Sequence, residues 1–330
     1  MKRPSSLATT LGVLVLVVAL AGSAGAAVRR IAIATAGTGG ALYPMGVAMA
    51  ESINRHVPGF QASAQASAAS VQNLSMLHAG SVEWGIAQSE IAWFAYNGLE
   101  VYRGRQMDHL RALFATVGSW VQVFVPANSP VRSFDDLRGK RVGVGSPGSG
   151  GEVDARMLLS YFGLTYQNVK AVFLSDAEMV EALKEGTLDA MVVTHPLKSA
   201  PLLDLTTSMK VRMLSVDDPS FYGKHPYFLR RVIPGGTYEG IDEPVVTPYS
   251  RVVMYTSTRS GLGDDDIYRM LRAIWDNRNE WKDAHPAVSR DVTWEAALDG
   301  IATPLHPGAV RFFRDRGVKV PDALIPPEMK

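Results

Sequence analysis

The sequence predicts an α/β protein of two lobes, each a mostly parallel sheet flanked by helices. Three observations lead to this prediction. Short β-branched runs alternate with helical patterns along most of the chain, as in βαβ units. Two glycine-rich turns, 37–44 and 145–152, each follow an apolar strand pattern and precede a helix start. A stretch rich in proline and glycine, 226–248, has no periodicity and is predicted to be a loop before the chain returns to strand.

The first lobe begins with three strand–helix pairs. Val47, Ala50 and Ile53 are three residues apart and therefore share one helix face. Ser70 supplies the N-cap of a second helix, and Gly80 its stop. The predicted strands are 31–34, 61–66, 84–87 and 110–117, and the predicted helices are 44–56, 70–79 and 89–97.

The second lobe repeats this alternation. Ser175 and Glu178 form a capping box at a helix start, and Gly186 ends that helix. The predicted strands are 121–126, 141–145, 170–174, 189–193 and 211–215, and the predicted helices are 152–162 and 176–185. The chain then continues with a strand at 251–257, an amphipathic helix at 264–281 and short helices at 293–298 and 309–316.

These elements predict a discontinuous arrangement of the two lobes. Lobe I comprises 28–118 and 250–330, and lobe II comprises 119–249. The chain then crosses between the lobes twice. We expect a hinge near 118–120 and 248–250, about which the lobes close on a ligand.

Residues 1–26 have the features of a cleavable signal peptide for export to the periplasm. Lys2 and Arg3 form the positive n-region, an apolar core follows, and Ala24-Gly25-Ala26 supplies the small-residue cleavage pattern. We expect cleavage after Ala26. The alternative is an uncleaved anchor, because no charge interrupts 7–27. The short apolar core favours cleavage.

Composition excludes several classes of function. A formal net charge of +1 gives no basic surface for nucleic acid or for an anionic membrane. The absence of cysteine excludes disulfides, thiol catalysis and thiolate metal sites, and the seven histidines lack metal-ligand spacing. Residues 143–148 satisfy G-x-G-x-x-G, but Asp176 lies later than a dinucleotide site requires. We expect no metal, no cofactor and no catalytic residues.

Candidate binding residues follow the strands, where open parallel sheets bind their ligands. Glycines and small polar residues open helices there, and they offer backbone N–H donors with few formal charges, which suits a small carboxylate or an amino acid. The alternative is that these residues only form turns and caps. The candidates are Gly39, Gly40, Tyr43, Ser70, Gln88, Ser89, Ser149, Gly150, Gly151, Thr194 and His195, together with Trp120 at the expected hinge.

A series of short motifs runs through the chain in a fixed order. The motifs are 34–46, 70–74, 85–90, 95–98, 136–145, 147–150, 234–238 and 305–309. The ordered set resembles the TAXI family of solute receptors, the extracytoplasmic binding proteins of one class of TRAP transporters. The resemblance covers essentially the whole chain that follows the signal peptide.

The resemblance implies a type II-like periplasmic-binding-protein fold. It also implies capture of a small organic anion, with glutamate-like compounds among the family's ligands, and delivery to a TRAP-type membrane permease. We expect a monomer. The contacts implied are Gly39, Gly40, Tyr43, Gln88, Ser89, Ser149 and Gly150, and the 70–74 motif adds Asn73. The chain departs from the family pattern at Ala34, Ala36, Leu42, Ser119-Trp120 and Gly151.

Two other functions stay open at this point. An exported α/β hydrolase needs a nucleophile and a base, for which Ser149 with His195 is the candidate pair. A ligand-binding module that feeds a sensor protein would use the same cleft but would need no permease.

Overall fold

A single mixed sheet organises the chain. The computed structural model describes residues 28–225 and 227–330, and the predicted signal peptide lies outside them. The strands described are β1 (Arg29–Ala34), β2 (Phe60–Gln65), β3 (Trp84–Gln88), β4 (Leu110–Pro126), β5 (Arg141–Gly143), β6 (Lys170–Val172), β7 (Ala190–His195), β8 (Val211–Met213), β9 (Leu229–Ile233) and β10 (Val245–Ser257). Their order is β2-β1-β3-β10-β4-β7-β5-β6, with β8 on β4 and β9 on β10.

Helices connect and cover these strands. They are α1 (Leu42–His56), α2 (Ser70–Ala79), α3 (Ser89–Asn97), α4 (Gly150–Tyr161), α5 (Asp176–Lys184), α6 (Ala200–Ser208), α7 (Pro219–Lys224), α8 (Asp264–Asp276), α9 (Pro286–Asp291) and α10 (Pro307–Asp315). None of these is long and apolar enough to cross a membrane.

The sheet has two parallel parts joined by an antiparallel pair. β1 pairs in parallel with β2 and β3, and β5 pairs in parallel with β6 and β7. Between these sets lie β10 and β4, which pair antiparallel with each other and with the neighbouring set. Each set is connected through helices, as parallel strands require. The predicted two-part α/β fold class is therefore confirmed.

The two long strands run through the region predicted as a hinge. The expected separate strands 110–117 and 121–126 are one strand, β4, because Ser119 and Gly118 stay in the ladder opposite Ser250 and Arg251. A side chain on Gly118 would lie 2.6 Å from the Tyr249 ring, so glycine is required where that ring crosses the strand. The division into lobes at 118–120 and 248–250 stays a prediction, now located within a continuous antiparallel pair.

Three predicted elements differ in the structure. The predicted loop 226–248 contains β9 and the beginning of β10, which extend the sheet by antiparallel pairing. The predicted helix 264–281 ends at Asp276, because the indole of Trp281 folds back and donates to the Ile274 carbonyl. The predicted helix 293–298 is a series of turns, since Trp294 is held between the rings of Trp275 and Phe312.

Candidate functional site

The carboxyl ends of all six parallel strands meet at one cavity. The segments after β1, β2 and β3 form one wall, and the segments after β5, β6 and β7 form the other. The cavity has a volume of about 560 Å³, which is within the range of small-molecule sites. Its polar lining residues are Thr38, Ser67, Ser70, Gln88, Ser119, Ser146, Ser149, Ser175, Asp176, Thr194 and His195.

Four helices begin at the cavity wall. Leu42, Ser70, Gly150 and Asp176 line the cavity and are the first residues of α1, α2, α4 and α5. The first N–H groups of a helix have no partner inside it and carry the positive end of the helix dipole. No lysine or arginine is among the lining residues in the described part of the chain. Backbone donors are therefore the main positive feature that a ligand meets.

The ionisable side chains of the cavity wall form one pair. Nε2 of His195 lies 2.5 Å from Oδ2 of Asp176, and Nδ1 of His195 is buried without a hydrogen-bond partner among the described residues. Burial alone would lower the pKa of His195, but the charge of Asp176 and its hydrogen bond outweigh this and raise that pKa. The pair thus favours an imidazolium beside a carboxylate, with little net charge.

The two walls touch at Gly150. A Cβ at this position would lie 1.8 Å from Oε1 of Gln88 and 2.7 Å from Oγ of Ser70, both on the opposite wall. Close by, the amide of Gln72 donates to the carbonyl of Gly148 across the cleft at 3.2 Å. The two walls are therefore in direct contact in this structure, and only glycine at position 150 allows this approach.

A strained residue precedes α2 at the cavity. Ala69 lines the wall and has φ 71° and ψ −136°, a conformation that favours glycine. Its backbone N–H donates to Oγ of Ser67 at 2.9 Å. Non-glycine residues in such conformations persist where the surrounding structure holds them, and they cluster at ligand sites.

Two carboxyl side chains lie buried beside the cavity. Glu90, in the first turn of α3, and Asp154, in α4, come from opposite walls and are 0% and 1% exposed. The Nε2 of Gln88 lies between them, 2.7 Å from Oε1 of Glu90 and 2.5 Å from Oδ2 of Asp154. Burial and the charge of Asp154 raise the pKa of Glu90, and burial raises the pKa of Asp154.

The structure brings most of the predicted binding residues together. Nine of them line the cavity, namely Gly39, Gly40, Ser70, Gln88, Ser149, Gly150, Gly151, Thr194 and His195. Their role in binding stays a prediction.

Four predicted residues are not in the cavity lining. Asn73 is buried, and its amide donates to the carbonyls of Thr35 and Ile86. The hydroxyl of Ser89 donates to the carbonyl of Gly300. Trp120 packs edge-on against Tyr249, with ring centroids 4.9 Å apart. Tyr43 is half-buried in the first turn of α1. These positions suit structural roles, but Asn73 and Ser89 form neither turns nor caps, because their side chains bond to backbone carbonyls of distant segments.

Asp154 is the residue of this region that the sequence analysis missed. It follows Val153 in an otherwise ordinary helix start, and its burial depends on Gln88 and Thr194 from two other elements. The sequence shows Asp154 directly after the glycine-rich segment 145–152, on the helix face that also carries the apolar Leu158 four residues later. A position on an apolar face is the pattern that could have indicated burial. That signal alone does not distinguish a buried acid from a solvated one.

The fold and the cleft define an α/β protein with a small-ligand cavity enclosed between two parallel sheet parts. The chain belongs to the NMT1-like family, which matches residues 33–317. A solved protein from Bordetella bronchiseptica RB50 is 19% identical with a TM-score of 0.51, over 89% of this chain and 90% of that one. This likeness supports a shared fold.

Two further solved structures are similar over most of the chain. The alkanesulfonate-binding protein SsuA from Xanthomonas axonopodis pv. citri, bound to MOPS, is 17% identical, with a TM-score of 0.46 over 92% of this chain and 98% of that one. A putative L-cystine ABC transporter from Listeria monocytogenes is 17% identical, with a TM-score of 0.48 over 78% of this chain and 94% of that one.

Proposed function

We propose that the protein is a periplasmic solute receptor that captures a small organic anion or an amino acid between its two lobes. The observation that carries the proposal is the enclosed cavity, where four helix N-termini meet and no lysine or arginine lies in the described wall. Helix N-termini bind oxyanions through backbone donors, without a formal positive charge. Closure around the ligand would exclude water and strengthen these hydrogen bonds.

The Asp176–His195 pair supports an amino acid as one ligand class. Asp176 is 39% exposed at its side chain and can accept hydrogen bonds from a ligand ammonium group. The helix starts at Ser70 and Gly150 offer donors for a carboxylate. A zwitterion would thus find acceptors and donors on different parts of the wall. A glutamate-like compound and other carboxylates fit the same description.

The permease is proposed on the resemblance to TAXI receptors. That resemblance favours a TRAP-type transporter, which an ion gradient drives, as the partner. Uptake of the ligand by cells producing the receptor should then stop when the ion gradient is collapsed and continue when ATP is depleted with the gradient maintained. Uptake that follows ATP would assign the receptor to an ABC-type transporter, and ligand binding without uptake would favour a sensor protein.

Binding is tested by thermal shift and calorimetry against L-glutamate, other amino acids, mono- and dicarboxylates and alkanesulfonates. One chemical class should bind with a stoichiometry of one and raise the melting temperature by several degrees, because a ligand at 100 times Kd adds about 2.7 kcal/mol of stability. A folded protein that responds to no compound in this panel would contradict the proposal.

The hydrolase alternative gains no support from the geometry. The Oγ of Ser149 accepts a hydrogen bond from the backbone amide of Glu152 and so caps the start of α4. The Nε2 of His195 is hydrogen-bonded to Asp176. Within the part of the chain that the structure describes, no hydrogen bond joins Ser149 to His195. A nucleophile and its base need that contact.

A further inference from the structure

Two carboxyl groups lie beside the cleft, and no basic side chain among the described residues forms an ion pair with either of them. Glu90 comes from α3 on one wall and Asp154 from α4 on the other, and both are almost completely shielded from solvent. The Gln88 amide donates to both, so the three side chains bridge the cleft. The nearest arginine on α4, Arg156, is instead 3.6 Å from Glu152 and 3.8 Å from Glu100.

The hydrogen bonds of the two carboxyls leave one oxygen on each without a donor. Oε1 of Glu90 accepts from Gln88 and, at 3.2 Å, from Ser250. Oδ2 of Asp154 accepts from Gln88 and, at 2.9 Å, from Thr194. Oε2 of Glu90 and Oδ1 of Asp154 are buried without a donor among the described residues.

A single proton shared by Glu90 and Asp154 would relieve the repulsion between the two buried carboxyls. Both carboxyls accept from the same nitrogen, Nε2 of Gln88, at 2.7 Å and 2.5 Å, so the two side chains lie close together in the buried site. If one carboxyl is protonated, the buried pair carries one negative charge instead of two, and Gln88 still donates to both groups. Two ionised carboxylates side by side in a buried site would cost several kcal/mol, so the pair cannot both ionise while the cleft is closed.

The other ionisable groups around the pair do not supply a positive charge to it. Glu152 adds a further negative charge near Asp154. The phenols of Tyr227 and Tyr255 face the pair, and burial raises the pKa of both, so they are neutral at ordinary pH. His195, next to Thr194 on β7, is bonded to Asp176.

We propose that Glu90 and Asp154 form a proton-dependent latch: the closed cleft holds one proton between the two carboxyls, and loss of that proton opens the cleft. Because this latch would regulate ligand capture, it rests on the proposed receptor function. When the lobes separate, each carboxyl can ionise in water without facing the other. Closure is therefore coupled to the uptake of a proton.

The direction of the pH effect follows from the raised pKa of both carboxyls in the closed structure. A group whose pKa is raised by closure favours the closed form fully below its ordinary value, which is about 4 for a carboxyl. That contribution is lost as the pH rises through the raised pKa. The closed fraction, and with it the affinity for ligand, should fall with increasing pH.

Labels on the two walls test the latch without any ligand. The chain has no cysteine, so Ser75→Cys on α2 and Glu181→Cys on α5 place two spin labels on exposed positions across the cleft. Pulsed electron paramagnetic resonance then gives the distance distribution over a pH series. Because one proton is involved, the ratio of the short-distance to the long-distance population should fall by up to about tenfold for each pH unit between the ordinary carboxyl pKa and the raised one.

Glu90→Gln is the decisive variant, because it removes one of the two titrating carboxyls with little change in side-chain size and keeps an amide oxygen that can accept from Gln88. We expect the labelled Glu90→Gln protein to stay closed across the pH series. Asp154→Asn is the reciprocal variant, should Glu90→Gln fail to fold. Glu152→Gln is the control that should keep the pH response with its midpoint displaced to lower pH, because the charge of Glu152 raises the pKa of Asp154. A wild-type distance distribution that ignores pH, or a Glu90→Gln protein that opens as the wild type does, would overturn the latch.

Failure of the latch and failure of the receptor function are distinguishable. If L-glutamate and the rest of the panel bind with pH-independent affinity and the labels do not move with pH, the receptor stands and the latch falls. If the labels move with pH and Glu90→Gln abolishes the movement while nothing in the panel binds, the latch stands and the receptor function falls.

Discussion

Gly150→Ala should prevent closure of the cleft while leaving each lobe folded. The added methyl would lie 1.8 Å from Oε1 of Gln88, and the two atoms must separate by about 1.6 Å to reach the 3.4 Å of an ordinary contact. The backbone at Gly150 is helical, without a positive φ, so alanine itself is compatible with the start of α4. The strain therefore falls on the approach of the two walls.

The size of the loss in ligand affinity follows from the hydrogen bonds that hold Gln88 in place. Gln88 is 6% exposed, and its Nε2 donates to both buried carboxyls. Moving its side chain away from the methyl group breaks those two bonds, each to an acidic group, at a total cost of about 2–4 kcal/mol. Opening the cleft avoids this cost. The loss should therefore appear as a Kd raised roughly 30- to 1000-fold.

Isothermal titration with the tightest ligand of the panel measures this loss, and Gly223→Ala in α7, outside the cavity lining, is the matched control. A Cβ on Gly223 would have no neighbour within 4 Å, so this variant should bind within about threefold of wild type. The melting temperatures of both ligand-free variants should stay close to the wild-type value. Equal affinities for Gly150→Ala and Gly223→Ala would contradict the expectation that ligand binding brings the walls into contact at Gly150.

Three further changes have defined outcomes. Ala69→Gly should raise the free energy of unfolding by about 1 kcal/mol, because it relieves the positive φ, and a loss of stability in urea denaturation would count against this strain. Asp176→Asn should lower the pKa of His195, and NMR titration of the imidazole ring measures this change. In the wild type, the raised pKa stabilises the folded protein below the ordinary histidine pKa, and this stabilisation is lost as the pH rises through the raised value. The variant should lack that contribution. Glu328→Gln should cost about 1–3 kcal/mol of stability in urea, since it weakens a two-bond pair with the almost fully buried Arg111, and an unchanged unfolding curve would contradict that estimate.

The sequence was sufficient to predict the strand ends that meet at the cavity. The rule that parallel sheets bind ligands at their carboxyl ends depends only on locating strands and turns, and both glycine-rich turns were visible as local patterns. The capping box at Ser175 and Glu178 is also local, and the structure contains it. Local patterns of this kind involve residues within one turn of each other, so one sequence can reveal them.

Contacts between distant segments could not be predicted in this way. Gly118 and Ser119 resemble a strand break, yet pairing with β10 holds them in one long strand. Gly150 and Gly151 are equivalent in the sequence, but only Gly150 faces the opposite wall. Asp154 is buried by residues 66 and 40 positions away. Each of these facts depends on which surfaces the tertiary fold brings together.

A crystal structure of the protein with its tightest panel ligand would show where and how the ligand is bound. We expect one small molecule inside the cavity, with its anionic group hydrogen-bonded to backbone amides at the starts of α2 and α4, and with Gly150 in contact with Gln88. A ligand bound on the outer surface, or held by lysine or arginine side chains away from these helix starts, would contradict this expectation.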